Sequence, residues 1–247
     1  MKAMVLAAGL GTRLRPLTDF RPKALVEVAG RTLLEINLTR LKAFGVREAI
    51  VNAHHFADMI AAYLKANDDF GMRIEISREE VLLDTGGGLK RAAWFFLEGG
   101  TSEPFFLHNV DVLSTIDLER MVQAHIESQS IATLAVQKRE SSRQLLFDEK
   151  GQLCGRRSAR DSGAEIVYAS QHLEPLAFSG IHVISPRLLT MVTESGAFSI
   201  IDTYLRLAKQ GETISAFRAD ECYWRDLGKP ENVRLAANDL ADRGASI

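Results

Sequence analysis

Cysteine is scarce in this chain: Cys154 and Cys222 are the only two in 247 residues. That excludes a disulfide framework and fits a reducing compartment. An excess of one charge is also missing. Lys and Arg number 30 against 32 Asp and Glu, a net charge of −2, so no field exists for gripping nucleic acid and no long basic run substitutes for one. No apolar run nears the roughly 18 residues that a membrane span needs. The N-terminal run, Ala3 to Ala8, is shorter than a signal-peptide core and leads straight into a glycine turn. A cytoplasmic protein without nucleic-acid or membrane partners is therefore expected. Two phosphate-binding signatures are absent as well. The P-loop string G-x-x-x-x-G-K-[ST] occurs nowhere, and Leu14 stands where a dinucleotide-binding turn has its third glycine. There is no internal repeat and no low-complexity segment.

What the chain contains is an alternation of strand and helix signals. Ala3 to Ala8 is apolar throughout, as in a parallel strand buried on both faces. Leu33 to Phe44 carries apolar residues at helical spacing and stops at Gly45, the residue type that closes a helix. The pattern predicts strands at 48–52, 73–77, 105–109 and 131–137. It predicts helices at 56–66, 86–96 and 117–127, the last capped by Asp117. Such alternation implies parallel βαβ units. From 139 to 175 the chain is polar and rich in Arg and Ser, with a hairpin predicted about Asp148 to Gly151. Strands return at 177–184, 213–217 and 222–225. Helices are expected at 186–193, 200–210 and from Pro230, a residue suited to a first helical turn. One domain over 1–247 is expected, with halves 1–138 and 139–247.

In open α/β sheets the ligand sits beyond the carboxyl ends of the strands. The turn after the first strand, the loop Asp84 to Gly88, and Asp111 after the 105–109 strand should then share one rim. Gly9 and Gly11 permit a tight turn whose successive N–H groups form an anion-binding concavity. Arg13, Arg15 and Lys23 add positive charge beside it, which makes a phosphate cradle. Asp111, at a strand exit, can hold a hard cation through oxygen or serve as a loop or cap residue. Asp226, in Tyr223-Trp224-Arg225-Asp226-Leu227-Gly228-Lys229-Pro230, can do the same, cap the last helix, or pair with Arg225. Gly86, Gly87 and Gly88 permit close backbone approach at a helix N-terminus, or form a plain flexible connection. His54, His55 and His108 show no metal-ligand spacing with the cysteines.

The string Gly9-Leu10-Gly11-Thr12-Arg13-Leu14-Arg15-Pro16-Leu17-Thr18, followed by Pro22-Lys23-Ala24-Leu25, resembles the signature of the sugar-1-phosphate nucleotidylyltransferases. Asn109-Val110-Asp111 and Trp224 to Pro230 are similar to two further motifs of that family, in the same order. Val110 and Asp84 stand where glycine is commoner. Leu83-Asp84-Thr85-Gly86-Gly87-Gly88 most resembles the N-acetylmuramate-1-phosphate uridylyltransferase branch. The resemblance spans nearly the whole chain. It implies a three-layer Rossmann-like α/β fold, the nucleotide-diphospho-sugar transferase type. That fold has a mostly parallel sheet, helices on both faces and a small β-rich sugar-binding elaboration.

The activity it implies is transfer of a nucleotidyl group from an NTP to a sugar 1-phosphate, with release of pyrophosphate. UTP is favoured; GTP with mannose or heptose 1-phosphate is the runner-up, and CTP is third. Mg²⁺ would be held by Asp111 and Asp226. Lys23 would contact the α-phosphate and the sugar phosphate, and Arg13 the β and γ phosphates. Nucleotide contacts would come from Ala8, Gly9, Gly11, Thr12, Asn52, Asp84, Gly86 and Gly87. Acceptor contacts would come from Asn109, Arg143, Ser179 and Gly180. Arg156, Arg157 and Arg160 are either a second anion site or solvated. Monomer and homodimer both stay open. The competing class is a catalytically silent nucleotide-sugar sensor, but such proteins lose the arginine, the lysine or the aspartates, and all four are present.

Overall fold

The sheet is built around β1 (Lys2–Leu6). Ala3 and Val5 face one layer, Met4 and Leu6 the other, and all four are buried. That is the period-2 arrangement of a strand covered on both sides. The computed structural model describes residues 1–100, 102–158 and 163–243. Along the chain come β2 (Glu27–Val28), β3 (Arg31–Thr32), α1 (Leu33–Ala43), β4 (Glu48–Ala53), α2 (Ala57–Ala66), β5 (Arg73–Arg78), α3 (Asp84–Arg91) and α4 (Ala93–Leu97). Then follow β6 (Phe105–Asn109), β7 (Val112–Ser114), α5 (Leu118–Glu127) and β8 (Ala132–Gln137). The second half adds β9 (Arg143–Phe147), β10 (Leu153–Ser158), β11 (Ala164–Ile166) and β12 (Glu174–Ile184). It ends with α6 (Ile200–Lys209), β13 (Ile214–Arg218), β14 (Trp224–Asp226) and α7 (Pro230–Arg243).

Among the described residues the main sheet has ten strands, in the order β11-β10-β9-β12-β6-β1-β4-β5, with β8 and β13 attached through β12. Four strands of the first half, β6, β1, β4 and β5, are mutually parallel. Strand β12 of the second half lies antiparallel beside β6, so both halves share one sheet. Helices pack on both faces: α1 and α2 with Ala3, Val5 and Phe106, and α3, α4 and α6 with Met4, Leu6 and Leu107. Capping fixes where helices start. The Thr32 hydroxyl accepts from Glu35 N at 3.0 Å, and the Asp117 carboxylate accepts from Arg120 N at 3.0 Å.

Three differences from the sequence expectations have physical reasons. The helix expected over 86–96 breaks at Ala92, and α4 buries the consecutive rings of Phe95 and Phe96. The break at Ala92 lets α4 take a different direction from α3, and both Phe rings then enter the same buried cluster. Strand β12 begins at Glu174 rather than Ala177, because its first residues pair with β9 and carry the Asp148–Gly151 hairpin onto the sheet. The residue that ends the run expected at 222–225, Arg225, becomes the middle of β14, which pairs with the unforeseen β7. No helix among the described residues is long and apolar enough to cross a membrane.

The core also buries three histidines. His125 lies between the Thr133 hydroxyl at 2.9 Å and the Ser185 hydroxyl at 3.0 Å, and His182 meets the Tyr204 hydroxyl at 2.8 Å. Burial pushes His108 and His182 down from 6.5 to about 3, and His125 to about 4. Below pH 6.5 the unfolded chain therefore binds protons that the native state refuses, and stability falls as the pH drops toward those values. Urea unfolding midpoints should decrease steadily from pH 6.5 to pH 4.5. His125→Gln, which can satisfy both hydroxyl partners, should flatten part of that slope.

Candidate active site

The three segments expected on one rim do meet there, at the carboxyl ends of β1, β4 and β6. Their common support is the Asn52 amide, 3% exposed at the end of β4. Its Oδ1 accepts from Ala7 N at 2.7 Å and from Ala8 N at 3.3 Å, so it holds the exit of β1. Its Nδ2 donates to Glu79 Oε1 at 2.7 Å, and Glu79 Oε2 accepts from Leu83 N at 3.1 Å. Gly88 seats α3 against this pair: a Cβ there would lie 2.8 Å from Glu79 Oε1 and 2.9 Å from Asn52 Nδ2. A buried amide and a buried carboxylate thus tie the glycine turn to the head of α3.

Next to the turn, Gly11 has φ +65°, a left-handed conformation that suits glycine, and the Thr18 hydroxyl donates to its carbonyl at 2.8 Å. Gly9 is exposed, with the Lys23 ammonium 3.8 Å from where its Cβ would be. Thr12 and Arg13 are exposed in the short 3₁₀ turn that follows. Lys23 Nζ lies 2.9 Å from Asp111 Oδ2, with both side chains largely shielded. Across from them, β14 pairs with β7 so that Asp226 lies opposite Val112, and Leu227 N donates to Asp111 O at 2.7 Å. That bond joins the backbone of Asp111 to the residue after Asp226, so the two aspartate segments, 115 residues apart in the chain, adjoin. Asp226 Oδ1 accepts from Gly228 N at 2.6 Å. The space of a Gly228 Cβ lies 2.7 Å from that oxygen and 3.0 Å from Arg13 Nη2, so Arg13 reaches the same corner. The reading of Asp226 as a partner of Arg225 gives way, since Arg225 pairs with Asp239 at 2.8 Å.

On the acceptor side, Gly180 has φ +77° in a register break of β12, and its Cβ would meet Asn109 Nδ2 at 2.9 Å. Only glycine lets these two strands approach so closely.

Several sequence assignments shift. Asn52 sits behind the turn, not in the cleft, because its amide is consumed by backbone and Glu79. Ala8 likewise turns its N–H back onto Asn52. The closeness that Gly86 and Gly87 permit is to the chain itself: Gly86 N donates to Phe198 O at 2.9 Å, and a Cβ on Gly87 would lie 2.5 Å from Gly196 O. Asp84 is exposed, with φ 58°, and accepts from Thr85 N at 2.6 Å. The Ser179 hydroxyl is fully buried and has no partner, so it faces no open space. Arg143 is exposed at the start of β9, where its backbone bonds to the Ser141 hydroxyl. Arg156 is engaged by Glu165 and Asp202, and Arg157 by Gln144. Arg160 lies outside the described residues.

Two partners escaped the sequence reading. Glu79 sits in an unremarkable Glu-Glu pair, and no motif marks it. Arg139 stacks on the Trp224 ring with its guanidinium carbon 3.6 Å from the centroid. Arg139 opens the polar segment 139–175, and no motif marks it.

The comparisons with known proteins show the family and the fold. The model of the family described as Nucleotidyl transferase matches residues 2–145. N-acetylmuramate alpha-1-phosphate uridylyltransferase of Caulobacter vibrioides is 38% identical, over 97% of this chain and 97% of that protein. This chain belongs to the nucleotidyl transferase family. Another relative, the mannose-1-phosphate guanylyltransferase catalytic subunit beta of Xenopus tropicalis, is 29% identical over 94% of this chain, which spans only 62% of that protein. Among solved structures, the UDP-glucose pyrophosphorylase from Acinetobacter baumanii has a TM-score of 0.79 at 19% identity, covering 97% of this chain and 92% of that one. The inositol-1-phosphate CTP transferase from T. maritima has a TM-score of 0.74 at 18% identity, covering 98% and 95%. These two share the nucleotidyl transferase fold expected from the sequence.

A cation site fits the donor set. Among the described residues no group of three or more His, Cys, Asp and Glu side chains is gathered as for a metal held by protein alone. Two carboxylates from adjoining segments, one of them beside the Lys23 ammonium, are a donor set that would suit instead a hard ion such as Mg²⁺, which completes its shell with phosphate oxygens and water. The Asn52 bridge can be checked directly. Asn52→Ala leaves the buried Glu79 carboxylate and two backbone N–H groups short of partners. It should lower stability by about 1–3 kcal/mol in urea unfolding, and raise KM for the nucleotide more than it lowers kcat.

Proposed function

We propose that this chain transfers a uridylyl group from UTP to a sugar 1-phosphate, with N-acetylmuramate 1-phosphate as the first acceptor to test, and releases pyrophosphate. The observation that carries the reading is the convergence of Lys23, Asp111, Asp226 and Arg13 on one corner beside the exposed turn Gly9–Thr12. The preference for UTP rests on the Caulobacter vibrioides relative, matched over nearly all of both chains. The guanylyltransferase relative makes GTP with mannose 1-phosphate the second combination.

The acceptor's phosphate is mostly dianionic at neutral pH, since its second pKa lies near 6. Its oxygen can therefore attack the α-phosphorus in line without a protein base, and pyrophosphate leaves from the opposite side. The work of the chain is to position the two phosphates and offset their charge. Lys23 lies closest to the turn and takes the α-phosphate and the acceptor phosphate. Arg13, at the outer corner, takes the departing β and γ phosphates. Asp111 and Asp226 would hold Mg²⁺, which supplies charge neutralisation and alignment of the phosphate oxygens when bound. Asn109 and Gly180 border the acceptor side. Two unpaired cysteines suit the cytoplasmic setting in which such substrates would be met.

Pyrophosphate release should be measured over a grid of five nucleotides and a panel of sugar 1-phosphates, with Mg²⁺ present. A signal with UTP and N-acetylmuramate 1-phosphate is expected. A signal confined to GTP and mannose 1-phosphate moves the assignment to the second combination, and none in any cell, from protein that binds NTP, favours a sensor. Asp226→Ala and Lys23→Ala should each reduce kcat by about 10²–10³ or more while the cooperative melt is kept. Near wild-type rates in either would remove that residue from the mechanism.

A further inference from the structure

Strand β14 carries Asp226 but is only three residues long, and its ladder partner is the equally short β7. So short a ladder is a weak hold for a carboxylate that must keep its place. The remaining support comes through Trp224. Its indole Nε1 donates to Ser179 O at 2.8 Å. Arg139, just past the end of β8, lies 3.6 Å over the same ring and donates Nη2 to Phe178 O at 2.8 Å. Phe178 and Ser179 sit in the register break of β12, the kind of bulge that re-aims groups beside active sites. Gln137, two residues earlier, bonds the carbonyls of Ala219 at 2.7 Å and Cys222 at 2.9 Å, on the approach to β14. The end of β8 thus fastens β14 to β12 at several points.

The arrangement has a cost. Arg139 Nε is buried without a partner, and an unmet donor of this kind is destabilising. Burial pulls the Arg139 guanidinium below its usual range, and the charge of Asp226 opposes that shift. A leucine would pack on an indole without either penalty. Only a planar cation with a fork of donors spans ring and carbonyl together.

We propose that Arg139 is a positioning residue: it clamps Trp224 to the bulge of β12 and so holds the Asp226 carboxylate at the cleft. The proposal rests on the reading of Asp226 as a metal ligand. It also differs in sign from a simple charge effect. As a bare neighbouring cation, Arg139 would repel a divalent ion, and its removal would tighten metal binding. As a clamp, its removal weakens binding.

The test uses the full chain with Trp94→Phe, which leaves Trp224 as the single tryptophan. Paramagnetic Mn²⁺ is titrated with UTP, or with GTP if the nucleotide grid selects it, without acceptor. Quenching of Trp224 is read against Mg²⁺ as the diamagnetic blank. Arg139→Lys keeps the charge and loses the stack and fork, so half-saturation should rise on the order of tenfold, the usual effect of removing a partner behind a metal ligand. The melt should stay cooperative. Arg139→Gln is read as well, and in its place if the lysine variant misfolds; weaker binding despite loss of a repelling cation supports the clamp. Unchanged half-saturation in Arg139→Lys, or tighter binding in Arg139→Gln, overturns it. Absence of Mn²⁺-specific quenching in the parent protein overturns the metal reading itself, and the role of Arg139 with it.

Discussion

The antiparallel pairing of β7 with β14 is the contact on which the site depends. It joins a strand that follows β6 to one just before the terminal helix, and it brings the Asp111 and Asp226 segments together through the Leu227 N to Asp111 O bond. Neither strand exceeds three residues. So brief a ladder is stable only because its surroundings are fixed. Val112 and Leu113 belong to the buried core, Arg40 reaches the Ser114 hydroxyl at 3.2 Å, and Trp224 is bonded to β12.

A second constraint is the sharing of one buried amide between two loops. Asn52 reaches back to the exit of β1 with its oxygen and forward to Glu79 with its nitrogen. Buried polar groups of this kind are costly when half satisfied and specific when complete. Here the amide accepts two N–H groups and donates to a carboxylate that in turn holds Leu83 N. The turn and the head of α3 cannot move independently while this network stands, which keeps the phosphate cradle and the neighbouring loop in one arrangement.

The triple glycine at the head of α3 shows how a motif can be read correctly in kind and wrongly in direction. Glycine was expected where backbone approaches something closely. The close approach is real, but at Gly86 and Gly87 it is to Phe198 and Gly196, and at Gly88 to Asn52 and Glu79. A sequence states that a side chain is absent; it does not state which surface fills the space. Ser179 is a similar case. The family resemblance implies a substrate contact there, yet its hydroxyl is buried in the protein while its carbonyl meets Trp224.

By itself the sequence determined the parallel strands of the first half, most helix starts and the residue types gathered at the rim. Those features are local: apolar runs, periodicity, caps such as Thr32 and Asp117, and one contiguous turn from Gly9 to Lys23. Tertiary structure alone decided the rest. The insertion of β12 beside β6, the meeting of β7 and β14, the role of Asn52 as a support, and the clamp of Arg139 on Trp224 all join residues far apart in the chain. Such contacts leave no periodic trace, because each partner satisfies its own local pattern equally well alone, and only the packed sheet brings the two within reach.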